Sequence, residues 1–105
     1  MRSDWDRFET TVHDPRRRRW LEQLEPVFAR ELRLARTDRG ISQELLVAFV
    51  NQSFKLNWHQ TTLAKVEAGE RAIKLREALV LCEALEIPLR QLTGEDELPV
   101  VGWSS

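Results

Sequence analysis

An all-α fold is predicted by three features of this 105-residue sequence. Apolar residues recur three and four positions apart in successive segments, the spacing that lines one face of a helix. Four Pro and four Gly leave little room for a turn-rich all-strand architecture, and the few short alternations of apolar and polar residues nowhere demand a sheet. The length suits one domain with a modest core.

Taken in order, residues 1–14 mix Trp5 and Phe8 with charges and hold no sustained period, which predicts an arm. Pro15 suits a first helical turn. Arg16, Arg17, Arg18 and Arg19 follow it, ahead of Trp20, Leu21 and Leu24. Such a run can lie on phosphate or enter a minor groove. On the residues alone, the wet face of a short helix whose other side carries Trp20 and Leu24 weighs slightly more. Pro26 is expected to restart helicity, and Val27, Phe28, Leu32 and Ala35 form a stripe that stops in the breaker-rich Thr37–Gly40. Ser42 reads as the next N-cap. Leu46, Phe49 and Val50 share a face of a helix running to about Asn51, and Leu45 and Val47 beside them predict burial on more than one side. Residues 52–56 then form a connection with Phe54 and Leu56 tucked inward. After a loop at 71–74, Leu75, Ala78, Leu79, Cys82 and Leu85 recur at helical spacing, and Ile87, Leu89 and Leu92 around Pro88 give a last short helix closed by Gly94. Glu95 to Glu97 read as exposed, and the tail LPVVGWSS is apolar enough to dock in cis or on a partner. The boundaries are thus 1–25 for the arm and short basic helix, 26–94 for the domain, and 95–105 for the tail.

The stretch NWHQTTLAKVEAGER, residues 57–71, organises the rest. Asn57 is an N-cap type with Gln60 three residues on. Leu63 and Val66, with Trp58 ahead of them, give a short apolar face, and Gly69 supplies the stop. The opposite face carries Gln60, Thr61 and Lys65 and no carboxylate, Glu67 being the one acid within the helix. Amide, hydroxyl and amine groups can exchange hydrogen bonds with base edges without strong repulsion from phosphate. An ordinary solvated surface suits the same residues equally well.

Composition sets limits on function. The net charge of -1 argues against a uniformly basic nucleic-acid binder. Charge is unevenly placed, however: residues 1–40 hold ten basic and eight acidic groups, 73–105 three basic and six acidic, and local charge sets a contact surface. The single Cys82 makes no internal disulfide and fits a small core residue in a reducing, cytoplasmic setting. No run is long enough to cross a membrane, and no secretory segment is expected in MRSDWDRFETT. His13 and His59 stand apart without metal-ligand spacing, so no metal or cofactor is expected. No nucleophile, base and anion site assembles, so no enzyme is expected either.

The segments ELRLAR, GISQELLV, TTLAKVEAGER and LREALVLCEALEIPLRQL agree in order with one family. Over roughly residues 27–93 the chain resembles the Cro/C1-type helix-turn-helix, or XRE, regulators. The resemblance implies a five-helix domain, here with an N-terminal helical extension, whose third helix enters the major groove. It further implies base reading by Gln60, Thr61 and Lys65, and backbone contact by Gln43, Thr62, Arg71 and Lys74. Gln43 would also brace the third helix, and Arg36 and Glu67 would pair between the first and third helices. Three departures stand out. The Gln43–Leu63 interval is about six residues longer than in compact phage repressors, Glu86 replaces a customary glycine, and family register places the third helix's cap at His59 rather than Asn57.

The function implied is a sequence-specific transcriptional regulator, a repressor, bound as a homodimer to a palindromic operator in double-stranded DNA. In that reading Arg16 to Arg19 add backbone contacts. An antitoxin of a toxin–antitoxin pair is a related alternative. A protein-interaction module using the arm or tail is the alternative from another class. The near-neutral charge favours the module, and the carboxylate-free face opposes it.

Overall fold

The computed structural model describes residues 14–98, so the arm and most of the tail lie outside the described residues. Among the described residues, six helices follow one another, as α1 Pro15–Glu22, α2 Leu24–Asp38, α3 Gln43–Phe54, α4 Gln60–Glu67, α5 Leu75–Leu85 and α6 Leu89–Leu92, with a 3-10 turn at Glu95–Glu97. No strand occurs among the described residues. Helices α2 to α6 form the five-helix domain, and α1 is an extension.

One core joins α2 through α6. Leu32, Val50, Leu63, Leu81 and Leu92 are each completely buried at its centre. Burying a side chain of this size contributes about 1.5–3 kcal/mol, so these five positions outweigh any surface contact. Trp58, Leu56 and Ile87 close the core at the helix connections.

Local chemistry explains the boundaries. Asp14 caps α1, its carboxylate accepting from the Arg16 N–H at 2.8 Å. Only Gln23 separates α1 from α2, which begins at Leu24 rather than at Pro26. Pro26 sits in the first turn, where its missing N–H costs nothing. Helix α2 runs through Thr37 and Asp38, past the expected break, and the Ile41 N–H reaches back to the Arg36 carbonyl at 3.2 Å. Ser42 caps α3 by accepting from the Leu45 N–H at 3.0 Å. That helix continues three residues beyond Asn51 to Phe54 and ends on Lys55, which has φ 61°. The αL conformation at Lys55 frees the Leu56 N–H to bond the Val50 carbonyl, and Leu56 is thereby pulled into the core.

Some apolar periods mark faces that the fold leaves wet. Phe49 is 45% exposed, Leu45 58%, Leu75 71% and Leu79 46%, whereas Val47, Val80 and Leu81 are buried. Leu75, the first residue of α5, stays exposed, while Glu77 two positions on is buried among its hydrogen-bond partners. Cys82 lies in the core, and burial, reinforced by Glu83, raises its thiol pKa above the ordinary range. At the end of α5, Glu86 is held at φ 57° in the left-handed region, a position that costs a non-glycine residue of the order of 1 kcal/mol.

Helix α1 closes the end of the domain. The Trp20 indole N–H donates to the Thr93 carbonyl at 2.7 Å, and Arg17 reaches Glu95 at 2.6 Å. Between them, Gly94 lies so near α2 that a Cβ there would come within 2.7 Å of the Val27 side chain.

Candidate nucleic-acid interface

Helix α4 has eight residues and so is only about 12 Å long, too short to hold its own direction. Leu63 and Val66 anchor its inner side. Gln60, Thr61 and Lys65, the three residues expected to read bases, are exposed. The helix starts at His59, not at Asn57, which lies exposed in the extended segment before it. The reason is tertiary: the backbone of Trp58 is already engaged by another side chain, which keeps the chain extended until His59. The His59 N–H then donates to the Thr62 hydroxyl at 3.2 Å, so Thr62 serves the start of its own helix. At the other end Gly69, at φ 74°, lets the Glu70 N–H return to the Lys65 carbonyl at 2.8 Å.

Two carboxylate-centred networks hold the ends of α4. At its C-terminal end, Glu67 accepts from Arg36 Nε at 2.6 Å and Nη2 at 2.9 Å, a two-point contact between planar groups. Arg36 Nη1 donates to the Ile41 carbonyl at 2.7 Å. Gln43, the first residue of α3, donates to Glu67 Oε1 at 3.0 Å. The pair is 10% and 4% exposed, and the Glu67 hydrogen bond raises the Arg36 pKa despite the burial. Three helices therefore meet on one carboxylate.

Just ahead of α4, Asn51 on α3 grips the backbone of Trp58 from both sides. Its amide donates to the Trp58 carbonyl at 2.8 Å and accepts from the Trp58 N–H at 3.0 Å. The Trp58 indole N–H donates to Glu77 Oε2 at 3.1 Å. Glu77 also accepts from both terminal nitrogens of Arg71 and, at 2.9 Å, from the Lys74 N–H. Arg71 lies over the Trp58 ring, 5.5 Å from its centroid. From α5, Arg76 caps the end of α3 by donating to the Phe54 carbonyl at 3.1 Å. Burial alone would raise the Glu77 pKa, but its hydrogen bonds from Arg71, Lys74 and Trp58 outweigh it and hold the carboxyl at about 2.

These contacts give several expected backbone-binding residues partners within the chain. Arg71 is turned onto Glu77 and Trp58, and Gln43 onto Glu67. Lys74 caps α5 through its backbone and keeps an exposed side chain. Arg16 pairs with Asp14 at 3.3 Å, whose carboxyl pKa is lowered chiefly by that hydrogen bond. Arg17 pairs with Glu95 and lies 5.1 Å from the Trp20 ring centroid. Neither Asn51 nor Glu77 stands out as a site residue in the sequence. Their signal, a polar residue inside an apolar period, points inward only when its distant partner is known. Among the described residues, no group of His, Cys, Asp and Glu is placed to hold a metal ion, and no helix is long and apolar enough to cross a membrane.

The arrangement is that of a helix-turn-helix, α3 crossing behind an α4 whose polar side faces out. The family profile described as Helix-turn-helix matches residues 32–92, more than half of the chain. The chain belongs to the Cro/C1-type helix-turn-helix (XRE) family, a family of DNA-binding domains. A search of curated proteins finds no match.

The networks make two outcomes measurable. Removing either Arg36 or Glu67 strands a buried charge and is expected to cost about 3–5 kcal/mol, far above the 0–1 kcal/mol of a surface pair. In a double-mutant cycle by urea denaturation, a coupling near zero contradicts the burial of the pair. The second outcome concerns pH. The folded Glu77 pKa of about 2 lies below its ordinary 4.5, so its contribution is complete above about pH 5 and is lost as pH falls toward 2. The full difference amounts to about 3 kcal/mol. Stability measured between pH 5 and 2.5 should fall more steeply for the wild type than for Glu77→Gln; parallel curves rule out this linkage.

Proposed function

We propose that the protein is a sequence-specific transcriptional repressor that binds a palindromic operator as a homodimer. Gln60, Thr61 and Lys65 read base edges in the major groove. One observation carries this reading: Glu67, the only acid of α4, is turned inside and consumed by Arg36 and Gln43. The outward face therefore offers donors and acceptors to DNA with no carboxylate to repel phosphate. A lone eight-residue helix supplies few base contacts, each worth roughly 1–3 kcal/mol, so two copies on a two-fold site provide the discrimination. Gln43, Thr62, Arg71 and Lys74 approach the backbone at the margins. For Gln43 and Arg71 this contact shares a side chain already bonded inside the protein.

Arg16 to Arg19 add affinity without sequence preference. Phosphates at Arg16 and Arg17 compete with Asp14 and Glu95, which links this contribution to the closure of α1 on the domain. A protein-interaction module that does not bind DNA is favoured by the near-neutral charge and by exposed Leu75 and Leu79.

Selection from random DNA at fixed salt separates these readings, since an interaction module enriches no sequence. On the operator so obtained, Gln60→Ala should lower binding to the cognate site by roughly tenfold while random DNA is bound nearly as before. Equal losses on both rule out base reading by Gln60. Replacing Arg16 to Arg19 with Gln should weaken both kinds of site together and flatten log affinity against log salt by roughly 2–4. An unchanged slope on a folded variant removes the run from the interface.

A further inference from the structure

The chain between α3 and α4 is long for a helix-turn-helix, with Lys55 to His59 between the two helices. Five residues in extended or irregular conformation give the recognition helix freedom to tilt unless something outside the helix fixes its entry. The side-chain hydrogen bonds that tie this entry to α3 and α5 converge on Trp58, two positions before Gln60. Asn51 matches both the N–H and the C=O of Trp58 with one amide, so the residue's backbone is fixed in position and in rotation about the chain. Glu77 fixes the far tip of the same residue through the indole N–H, and Arg71 covers the ring. Trp58 is 6% exposed and Glu77 7% exposed, so both contacts operate away from water. The C-terminal end of α4 is already pinned by Glu67. A rod pinned at one end still swings, whereas a rod pinned at both has a single direction.

We infer that Asn51, Trp58 and Glu77 are positioning residues for sequence recognition: they touch no DNA, and they set the direction from which Gln60 and Thr61 meet the base edges. This rests on the base-reading role proposed above and assigns it a support that the recognition helix does not contain. Asn51 is the informative member. It is partly exposed and lies outside the apolar core, so its removal acts on the entry of α4 rather than on packing. A contact that reads bases through paired hydrogen bonds is lost when the helix tilts, while phosphate contacts through long basic side chains adjust.

The test compares wild type with Asn51→Ala on the selected operator, on operators altered by one base pair, and on random DNA, over several salt concentrations. Hydrogen exchange of the free proteins is followed in parallel. Discrimination between cognate and altered sites should fall by roughly tenfold, the loss of about one paired base contact, with the salt slope unchanged. Exchange of the Leu63 amide, bonded to the His59 carbonyl, should accelerate while amides within α2 and α5 keep their protection. Should Asn51→Ala fail to fold, Asn51→Asp serves in its place, since it retains the size and the acceptor for the Trp58 N–H while the donor becomes a carboxylate oxygen that repels the Trp58 carbonyl. A folded variant with undiminished discrimination overturns the inference, whatever its exchange. If the wild type itself shows no discrimination, base reading fails separately. The exchange of Leu63 then decides the positioning alone, and an unchanged rate overturns it.

Discussion

The buried pair of Arg36 and Glu67 is the constraint around which the domain is arranged. Two ions removed from water cost several kcal/mol each, and the cost is met only when geometry is good and remaining polar atoms are satisfied. Here the guanidinium spends Nε and Nη2 on the carboxylate and Nη1 on the Ile41 carbonyl, and Gln43 fills a further acceptor site on Glu67. No buried side-chain nitrogen or oxygen lacks a partner among the described residues. Satisfying the pair therefore requires α2, the α2–α3 turn, the first turn of α3 and the last turn of α4 to be in place together. Burial of Leu63 and Val66 supplies attraction without direction; the ion pair supplies direction.

Glu77 solves the same problem on the other side. Its carboxylate accepts four hydrogen bonds, about as many as a carboxylate can take, from Trp58 ahead of α4 and from Arg71 and Lys74 in the loop after it. The two networks share a consequence for electrostatics. Each takes an arginine, Arg36 or Arg71, that would otherwise add to surface charge, and each hides an acid. A domain near neutrality overall thus presents an outward α4 face bearing Lys65 and no acid, which reconciles the composition with membership of a DNA-binding family. Net charge is a sum over the chain, whereas a phosphate meets only what is exposed.

The extension at the N-terminus is structural as well as charged. Trp20 and Arg17 tie α1 to Thr93 and Glu95, so the last turn of the domain is held by the first helix described. In the arginine run, the residue type permits both a phosphate contact and an internal pair. In Arg16 and Arg17 the internal pair is present, so the phosphate contact proposed there would be an exchange of partners rather than a simple gain.

Most of the fold was legible in the sequence because it rests on local rules. The periods of Leu32 and Ala35, of Leu46 and Val50, and of Leu63 and Val66 mark buried faces, Ser42 announces a helix start, and Gly69 a helix stop. Family register also points to the residues found on the exposed face of α4. Tertiary structure alone decided where α4 begins, which leucines stay wet, and which arginines are spent inside. Asn57 satisfies every local rule for an N-cap, yet Asn51 holds Trp58 extended and moves the start to His59. Leu75 fits the apolar period of α5, yet at the first position of the helix it stays exposed while the polar Glu77 is buried. Arg71 looks like a surface cation until Trp58 and Glu77 are folded against it. At Asn57 a capping preference worth about 1 kcal/mol gives way to the backbone of Trp58 held by Asn51, and at Arg71 the need to satisfy the buried Glu77 carboxylate, whose desolvation costs several kcal/mol, sets where the side chain goes.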